Sequence, residues 1–87
     1  MKIEFSHAFI KRFKKRISHL PALREKFEER TRLFIKNSQN PLLEDHPLKG
    51  DKLGMRAFSV TGDIRVVYYI LEGTAYFVDI GTHNQVY

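Results

Sequence analysis

Two hairpin-length turns in the second half of the chain constrain the fold most. Thr61-Gly62 and Glu72-Gly73 separate three strand patterns, which are Met55–Val60, Ile64–Leu71 and Thr74–Ile80. Turns of this length join neighbouring antiparallel strands. The run Val66–Ile70 is apolar at every position, which is typical of a central strand that is buried on both faces. We therefore predict a three-stranded antiparallel meander.

A short strand and two helices are predicted ahead of this meander. Lys2–Phe5 alternates polar and apolar residues as a strand does, with Ile3 and Phe5 facing inward. Ser6 is a suitable N-cap for a first helix, and Pro21 suits the first turn of a second helix that runs from Ala22 to about Lys36. The order β-α-α-β-β-β predicts an α+β fold. Two N-terminal antiparallel helices pack on one face of a small antiparallel β-sheet.

Size and composition favour one domain, residues 1–87, with a core of its own. The chain has 87 residues, seven Phe and four Tyr, so it can bury a modest apolar core. It has no cysteine, which excludes disulfides and thiolate metal sites. It also has no apolar run long enough to cross a bilayer. We expect a soluble cytoplasmic protein that does not associate with a membrane.

The charge of the chain favours a polyanionic partner. Fifteen Lys and Arg residues against ten Asp and Glu give a net charge of +5. Many of the cations fall on the first helix, between Lys11 and Arg16. This basic run is either a solvated helix face or an electrostatic footprint for RNA or an acidic protein, and the sequence leaves both open.

Proton carriers and cations gather near the predicted strand ends. They are His46, Lys49, Lys52, Arg56, Asp63, Arg65, His83 and Tyr87. Such a set suits RNA cleavage without a metal. That reaction needs a base for the ribose 2′-hydroxyl, an acid for the leaving 5′-oxygen and fixed positive charge for the phosphate. The histidines have no metal-ligand spacing, so no metal or other cofactor is expected.

We predict that the stretch His46–Tyr69 and the last residues, Gly81–Tyr87, form one site. Lys49, Lys52 and Arg56 are assigned to RNA or phosphate binding within it. Each residue also has a structural interpretation, since His46 can cap a turn, Asp63 suits a hairpin turn and a terminal Tyr87 can pack on the core. Residue types alone indicate only a basic α+β domain with a possible RNA ligand.

Four short motifs, in order and at matching spacing, carry a family resemblance. They are DHPLKG (Asp45–Gly50), G-x-R (Gly54–Arg56), D-x-R-V-V-Y (Asp63–Tyr68) and G-T-H-x-x-x-Y (Gly81–Tyr87). With the basic helical hairpin ahead of them, they cover essentially the whole chain. The chain resembles the RelE/ParE superfamily of bacterial toxins from type II toxin–antitoxin modules, and within it the YafQ-like branch.

This resemblance implies a metal-independent endoribonuclease that cleaves mRNA, commonly on the ribosome, and is inhibited by a cognate antitoxin. By motif, His46 and His83 match proton-transfer residues. Asp63 matches an active-site aspartate of the YafQ-like branch, and Arg65 a phosphate or transition-state contact. Tyr87 matches a terminal aromatic used for base stacking or proton transfer. Arg56 is a weaker match to a strand cation, and the antitoxin is expected to be small, acidic and partly disordered.

Ser59 departs from the family pattern, because YafQ-like members often have a histidine at that position. A serine cannot carry a proton near pH 7, so the role would fall to His46 and His83 or activity would be reduced. The alternative hypothesis is an interaction module of the same fold, either a ParE-like gyrase poison or a catalytically degenerate toxin. The histidine motifs argue against the ParE branch.

Overall fold

The structure, a computed structural model, describes residues 1–87 and confirms the α+β architecture. The first three elements are β1 (Lys2–Phe5), α1 (His7–Arg16) and α2 (Pro21–Lys36). The remaining elements are β2 (His46–Pro47), β3 (Arg56–Ser59), β4 (Ile64–Leu71), β5 (Thr74–Thr82) and α3 (His83–Val86). Two 3-10 turns, Pro41–Leu43 and Gly50–Lys52, flank β2. The strand β2 and the helix α3 were not predicted from the sequence.

The sheet has five strands in the order β1-β5-β4-β3-β2. Strands β3, β4 and β5 form the predicted antiparallel meander. At one edge, β2 adds to β3 antiparallel, with His46 opposite Ala57. At the other edge, β1 pairs with β5 in parallel, because the two helices carry the chain back before the meander begins. The sheet is therefore mixed, although most of its pairs are antiparallel.

Both N-terminal helices pack on one face of the sheet and enclose the main core. Phe34 of α2 is fully buried and contacts the rings of Phe58, Tyr68 and Phe77 at centroid distances of 4.8, 4.8 and 5.8 Å. Aromatic pairs at such distances add to the stabilisation from apolar burial. No helix in the structure combines the length and apolarity that a bilayer crossing requires.

A smaller apolar cluster lies on the opposite face of the sheet. Ala57 of β3, Val67 of β4 and Val86 of α3 are buried there together. Strand β4 is thus buried on both faces from Val66 to Tyr68, as that part of its apolar run predicts, whereas Ile70 and Leu71 at its end are exposed. The helix α3 covers only part of this second face, which we call the open face.

A β-bulge at Val78 keeps strand β5 in phase with the core. Tyr68 pairs with Phe77 while Val67 pairs with Asp79, so Val78 is the extra residue. Without the bulge, Phe77 and Ile80, which are three positions apart, would lie on opposite faces. With it, both are fully buried in the main core.

Two arginines of α1 cover the edge of β5 beyond the end of β1. Arg12 donates to the carbonyl of Val78 at 3.3 Å and Arg16 to the carbonyl of Ile80 at 2.8 Å. Both also lie within 4 Å of the Asp79 carboxylate, Arg16 at 3.3 Å and Arg12 at 3.7 Å. A cation at an unpaired strand edge blocks pairing with another chain. Part of the basic run therefore holds the helix to the sheet.

Phe5 is less buried than the alternation of Lys2–Phe5 predicts. The residue is 46% exposed, although its ring stacks on Phe9 at a centroid distance of 5.3 Å. Strand β1 lies at the edge of the sheet, where α1 and α2 cover Phe5 on one side only. The predicted inward orientation of Phe5 is confirmed by its contacts with the rings of Phe9, Phe27 and Phe77, although its burial is incomplete. Ile3 also packs against the core.

Phe34→Ala should lower the free energy of unfolding by about 3–5 kcal/mol, because it leaves a cavity among three aromatic rings. Ile35→Ala is the matched control on the same helix, since Ile35 is 42% exposed. Its cost should stay below about 1 kcal/mol. Urea unfolding followed by circular dichroism measures both, and equal losses would contradict the position of Phe34 in the core.

Candidate functional site on the open face of the sheet

Side-chain alternation brings several of the predicted site residues to the open face. His46 pairs with Ala57, which is buried on that face. Ser59 pairs with Arg65, and Arg65 pairs with Gly81, so these three form a second row across the sheet. Residues two apart on a strand share a face, which puts Ser59 with Ala57 and Arg65 with Val67.

The helix α3 begins where the G-T-H motif reverses the chain. The Gln85 side chain accepts a hydrogen bond from the backbone N–H of Thr82 at 2.8 Å, as the N3 residue of a capping box does. A Cβ on Gly81 would lie 2.5 Å from Gln85 Oε1 and 2.9 Å from Arg16 Nη1, so a larger residue there would displace these two side chains. This local arrangement presents His83 at the first position of α3, exposed to solvent.

The imidazole of His46 is held in one tautomer. Its Nδ1 lies 3.0 Å from the backbone carbonyl oxygen of Glu44. A carbonyl oxygen only accepts hydrogen bonds, so Nδ1 carries the proton and Nε2 is left with its lone pair. Nε2 lies 3.4 Å from the Tyr87 hydroxyl. In the neutral form of the ring, Nε2 is therefore the acceptor that faces Tyr87.

Tyr87 contacts both histidines of the predicted site. Its ring meets the His83 ring edge to face at a centroid distance of 4.6 Å, and the His46 ring at 6.4 Å. Burial raises the pKa of the Tyr87 hydroxyl above its ordinary value, and the nearby Arg65 guanidinium offsets part of that rise. At neutral pH Tyr87 is thus a neutral hydroxyl between two imidazoles and a cation.

Arg65 is fixed by contacts on the open face. Its Nη1 donates to the Ser59 hydroxyl and lies 3.4 Å from the carbonyl oxygen of Thr61. Ser59 is buried, with 4% of its surface exposed. The guanidinium forms no ion pair with a carboxylate of the chain. A fixed cation that is not neutralised by a direct ion pair can stabilise a phosphate.

Arg56 lies on the other face and is engaged with a carboxylate. Its Nε lies 2.6 Å from Asp45 Oδ1, and the Tyr68 hydroxyl donates to Asp45 Oδ2. The side chain of Asp45 is 3% exposed. The bond to Asp45 raises the pKa of Arg56. Because Arg56 and Tyr68 are opposite each other in the sheet, this triad anchors the start of the His46 segment and separates Arg56 from Arg65.

Lys49 and Lys52 lie beside Tyr87, in the turn after β2. Together with Leu48, Asp51 and Tyr87 they line a shallow pocket of about 290 Å³. An apolar wall next to two ammonium groups is compatible with a nucleobase and its phosphate. Neither lysine forms an ion pair with an acidic residue.

Asp63 lies at the same end of the sheet as His83 without a side-chain contact to the site. It is exposed, and its backbone N–H donates to the Thr61 side chain at 3.2 Å. The next residue, Ile64, pairs with Thr82, which places Asp63 level with the start of α3. Of the eight predicted residues, six converge on the open face, while Arg56 and Asp63 do not contact the other six.

Glu44 contacts the site but was not among the predicted site residues. Its carboxylate accepts a hydrogen bond from the Ser59 hydroxyl at 3.1 Å, and its carbonyl meets His46. It precedes the DHPLKG motif and has no spacing or residue pattern of its own. The contact to Ser59 joins residues 15 positions apart and exists only in the folded chain.

No group of three or more His, Asp or Glu side chains in the structure has an arrangement that could hold a metal ion. The expectation of a reaction without a metal stays a prediction.

Comparison with known proteins defines first the class, a toxin of a bacterial type II toxin–antitoxin system. All 87 residues match the family described as "Bacterial toxin of type II toxin-antitoxin system, YafQ". The chain belongs to this YafQ toxin family, which confirms the resemblance drawn from its motifs. No curated protein sequence matches the chain significantly.

Solved structures share the fold over nearly the whole chain. YafQ from E. coli strain BL21(DE3) is 26% identical with a TM-score of 0.77, over 99% of this chain and 97% of that chain. A chain of the E. coli DinJ–YafQ toxin–antitoxin complex is 27% identical with a TM-score of 0.74, over 99% and 96%. The YoeB/ParE toxin from Agrobacterium tumefaciens is 20% identical, over 95% and 99%, and its TM-score of 0.77 supports the fold alone.

The Asp45 triad predicts how stability depends on alkaline pH. Burial first, and then the bond to Asp45, raise the pKa of Tyr68 well above its ordinary value. The unfolded chain releases this proton near pH 10 and the folded chain holds it, so stability that is present below about pH 10 is lost above it. The slope should approach about 1.4 kcal/mol per pH unit for this one proton.

Tyr68→Phe should remove this slope and leave only the contribution of Tyr87, whose pKa is also raised. Urea unfolding of wild type and variant between about pH 8 and 11 measures the difference. An equally steep loss of stability in Tyr68→Phe would place the responsible proton on another group.

Proposed function

We propose that the chain is an endoribonuclease that cleaves mRNA by attack of the ribose 2′-hydroxyl on the adjacent phosphate. The observation that carries this proposal is the convergence of His46, Arg65, His83 and Tyr87 on the open face of the sheet. The reaction needs two proton carriers and a fixed cation within one site. The two histidines that contact Tyr87, together with Arg65, supply that set.

In this mechanism His46 and His83 divide the proton transfers. One takes the proton of the 2′-hydroxyl as its oxygen bonds to phosphorus, and the other gives a proton to the 5′-oxygen as the P–O5′ bond breaks. The products are a 2′,3′-cyclic phosphate and a 5′-hydroxyl. The unprotonated Nε2 of His46 suits the base, and the exposed ring of His83 is open to a leaving oxygen.

Cations position the RNA backbone in this proposal. Arg65 binds the phosphate that is cleaved, where its guanidinium can hold two oxygens. Lys49 and Lys52 bind a neighbouring phosphate, and the ring of Tyr87 stacks on a base in the adjoining pocket. Asp63 lies level with the start of α3, and its role in this proposal is to orient His83. Arg56 acts indirectly, by holding Asp45 and the His46 segment.

The ribosome is the proposed site of action, as the family resemblance implies, and an mRNA substrate implies the cytoplasm. The partner that restrains the toxin is proposed to be an acidic antitoxin. Membership of a type II toxin family and a similar chain in the DinJ–YafQ complex support this proposal. So do the exposed Lys11, Lys14 and Lys15 of α1, which attract an acidic chain. Coexpression of the correct antitoxin should abolish toxicity.

His83→Ala should abolish growth arrest and lower RNA cleavage by roughly 10²–10⁴-fold, because one of the two proton transfers loses its carrier. The measurement is inducible expression in bacteria, followed by mapping of 5′ ends on a translated message. Cuts in phase with codons would identify cleavage on the ribosome.

His7→Ala is the matched control, since His7 is also an exposed first residue of a helix but lies on α1. It should arrest growth and cut RNA as the wild type does. Undiminished cleavage by His83→Ala would remove His83 from the mechanism. Growth arrest by the wild type without RNA cuts would favour the gyrase alternative.

A further inference from the structure

Glu44 has an unusual backbone conformation directly before the Asp45–Gly50 motif. Its φ of 49° and ψ of 36° are left-handed. Among non-glycine residues only Glu44 and Glu72 have positive φ. Such a conformation is unfavourable for a residue with a Cβ, and it recurs at functional sites where the surrounding structure enforces it.

The left-handed conformation lets Glu44 contact both His46 and Ser59. The carbonyl oxygen of Glu44 accepts from His46 Nδ1 at 3.0 Å, whereas its carboxylate accepts from the Ser59 hydroxyl at 3.1 Å. The carbonyl contact fixes the tautomer of His46. The carboxylate contact reaches across to strand β3, on the far side of the site from α3.

The Ser59 hydroxyl connects the Glu44 carboxylate to Arg65. A serine hydroxyl has one hydrogen to donate, and here Glu44 accepts it. The lone pairs of the oxygen then point away from Glu44 and accept from Arg65 Nη1. Because Ser59 is buried, few other orientations of its hydroxyl are open to it. Arg65, whose positive charge lowers the pKa of the Tyr87 hydroxyl, is thereby held on the open face opposite Gly81.

We propose that Glu44 is the positioning residue of the site. Through Ser59 it holds Arg65 beside Tyr87, and through its backbone it orients His46 toward the same tyrosine. The inference rests on the proposed ribonuclease function for its catalytic consequence only. It also assigns a role to Ser59, which replaces a histidine common in YafQ-like toxins: an anchor for the arginine rather than a proton carrier.

Three variants separate the contacts of Glu44. Glu44→Gly keeps the carbonyl and accepts positive φ without strain, but it removes the carboxylate. Glu44→Gln keeps a side-chain oxygen that can accept from Ser59. Ser59→Ala removes the hydroxyl that links Glu44 to Arg65. Glu72→Gly is the matched control, since Glu72 has a φ of 50° but lies in the turn between β4 and β5.

The first readout is the titration of the Tyr87 hydroxyl, followed by NMR in protein with ¹³C-labelled tyrosine and assigned with Tyr87→Phe. A nearby cation favours the tyrosinate, so release of Arg65 should raise the pKa of Tyr87 in Glu44→Gly and Ser59→Ala. Glu44→Gln and Glu72→Gly should titrate as the wild type does. An unchanged Tyr87 titration in Glu44→Gly and Ser59→Ala would overturn the proposal.

The second readout is the rate of RNA cleavage. Loss of the contact that holds Arg65 should lower kcat roughly 10- to 100-fold in Glu44→Gly and Ser59→Ala, with a smaller change in KM. A misplaced Arg65 impairs the chemical step more than it impairs substrate binding. Glu44→Gln should restore most of the activity. Full activity in a variant with a shifted Tyr87 titration would overturn the catalytic role of the anchor.

The titration decides the positioning role even if the proposed function fails. A wild-type protein that does not cleave RNA would end the ribonuclease proposal, and the Tyr87 pKa would still show whether Glu44 and Ser59 hold Arg65.

Discussion

Burial of the segment Val66–Tyr68 of strand β4 on both faces of the sheet is the constraint on which the rest of the structure depends. Val66 and Tyr68 face the two N-terminal helices, while Arg65 and Val67 face the other side. The helices complete one side, and the four-residue helix α3 covers only part of the other. A basic α+β domain is thereby left with an open face, which carries Arg65 and the cluster of His46, His83 and Tyr87.

Buried polar contacts place the loop residues against this face. The carboxylate of Asp45 joins Arg56 and Tyr68, so the chain that leads into His46 is tied to the central strands. A buried carboxylate must be satisfied in this way, because an unpaired charge in the interior is costly. Glu44 then contacts His46 through its carbonyl and Ser59 through its carboxylate. The position of His46 is thus fixed by residues that do not themselves take part in the proposed reaction.

The sequence predicts the elements better than their connections. Turn residues and apolar runs identify the meander, and capping residues identify the helices, because those signals are local. The two-residue strand β2 has too little pattern of its own, since it forms only by pairing with β3. The separation of Arg56 from Arg65 follows from strand register, and the role of Glu44 from a contact across 15 residues. Neither is encoded in local spacing.

The most direct test of the account is an NMR footprint of a short RNA on the wild-type protein. The 2′-hydroxyls of the RNA are replaced by 2′-O-methyl groups, so that the proposed attack cannot occur. An RNA site on the open face predicts chemical-shift changes at Gly81, His83, Val86 and the side chain of Arg65, with the outer surface of α2 unaffected. Changes confined to α1 and α2, or none on the open face, would contradict the placement of the RNA site.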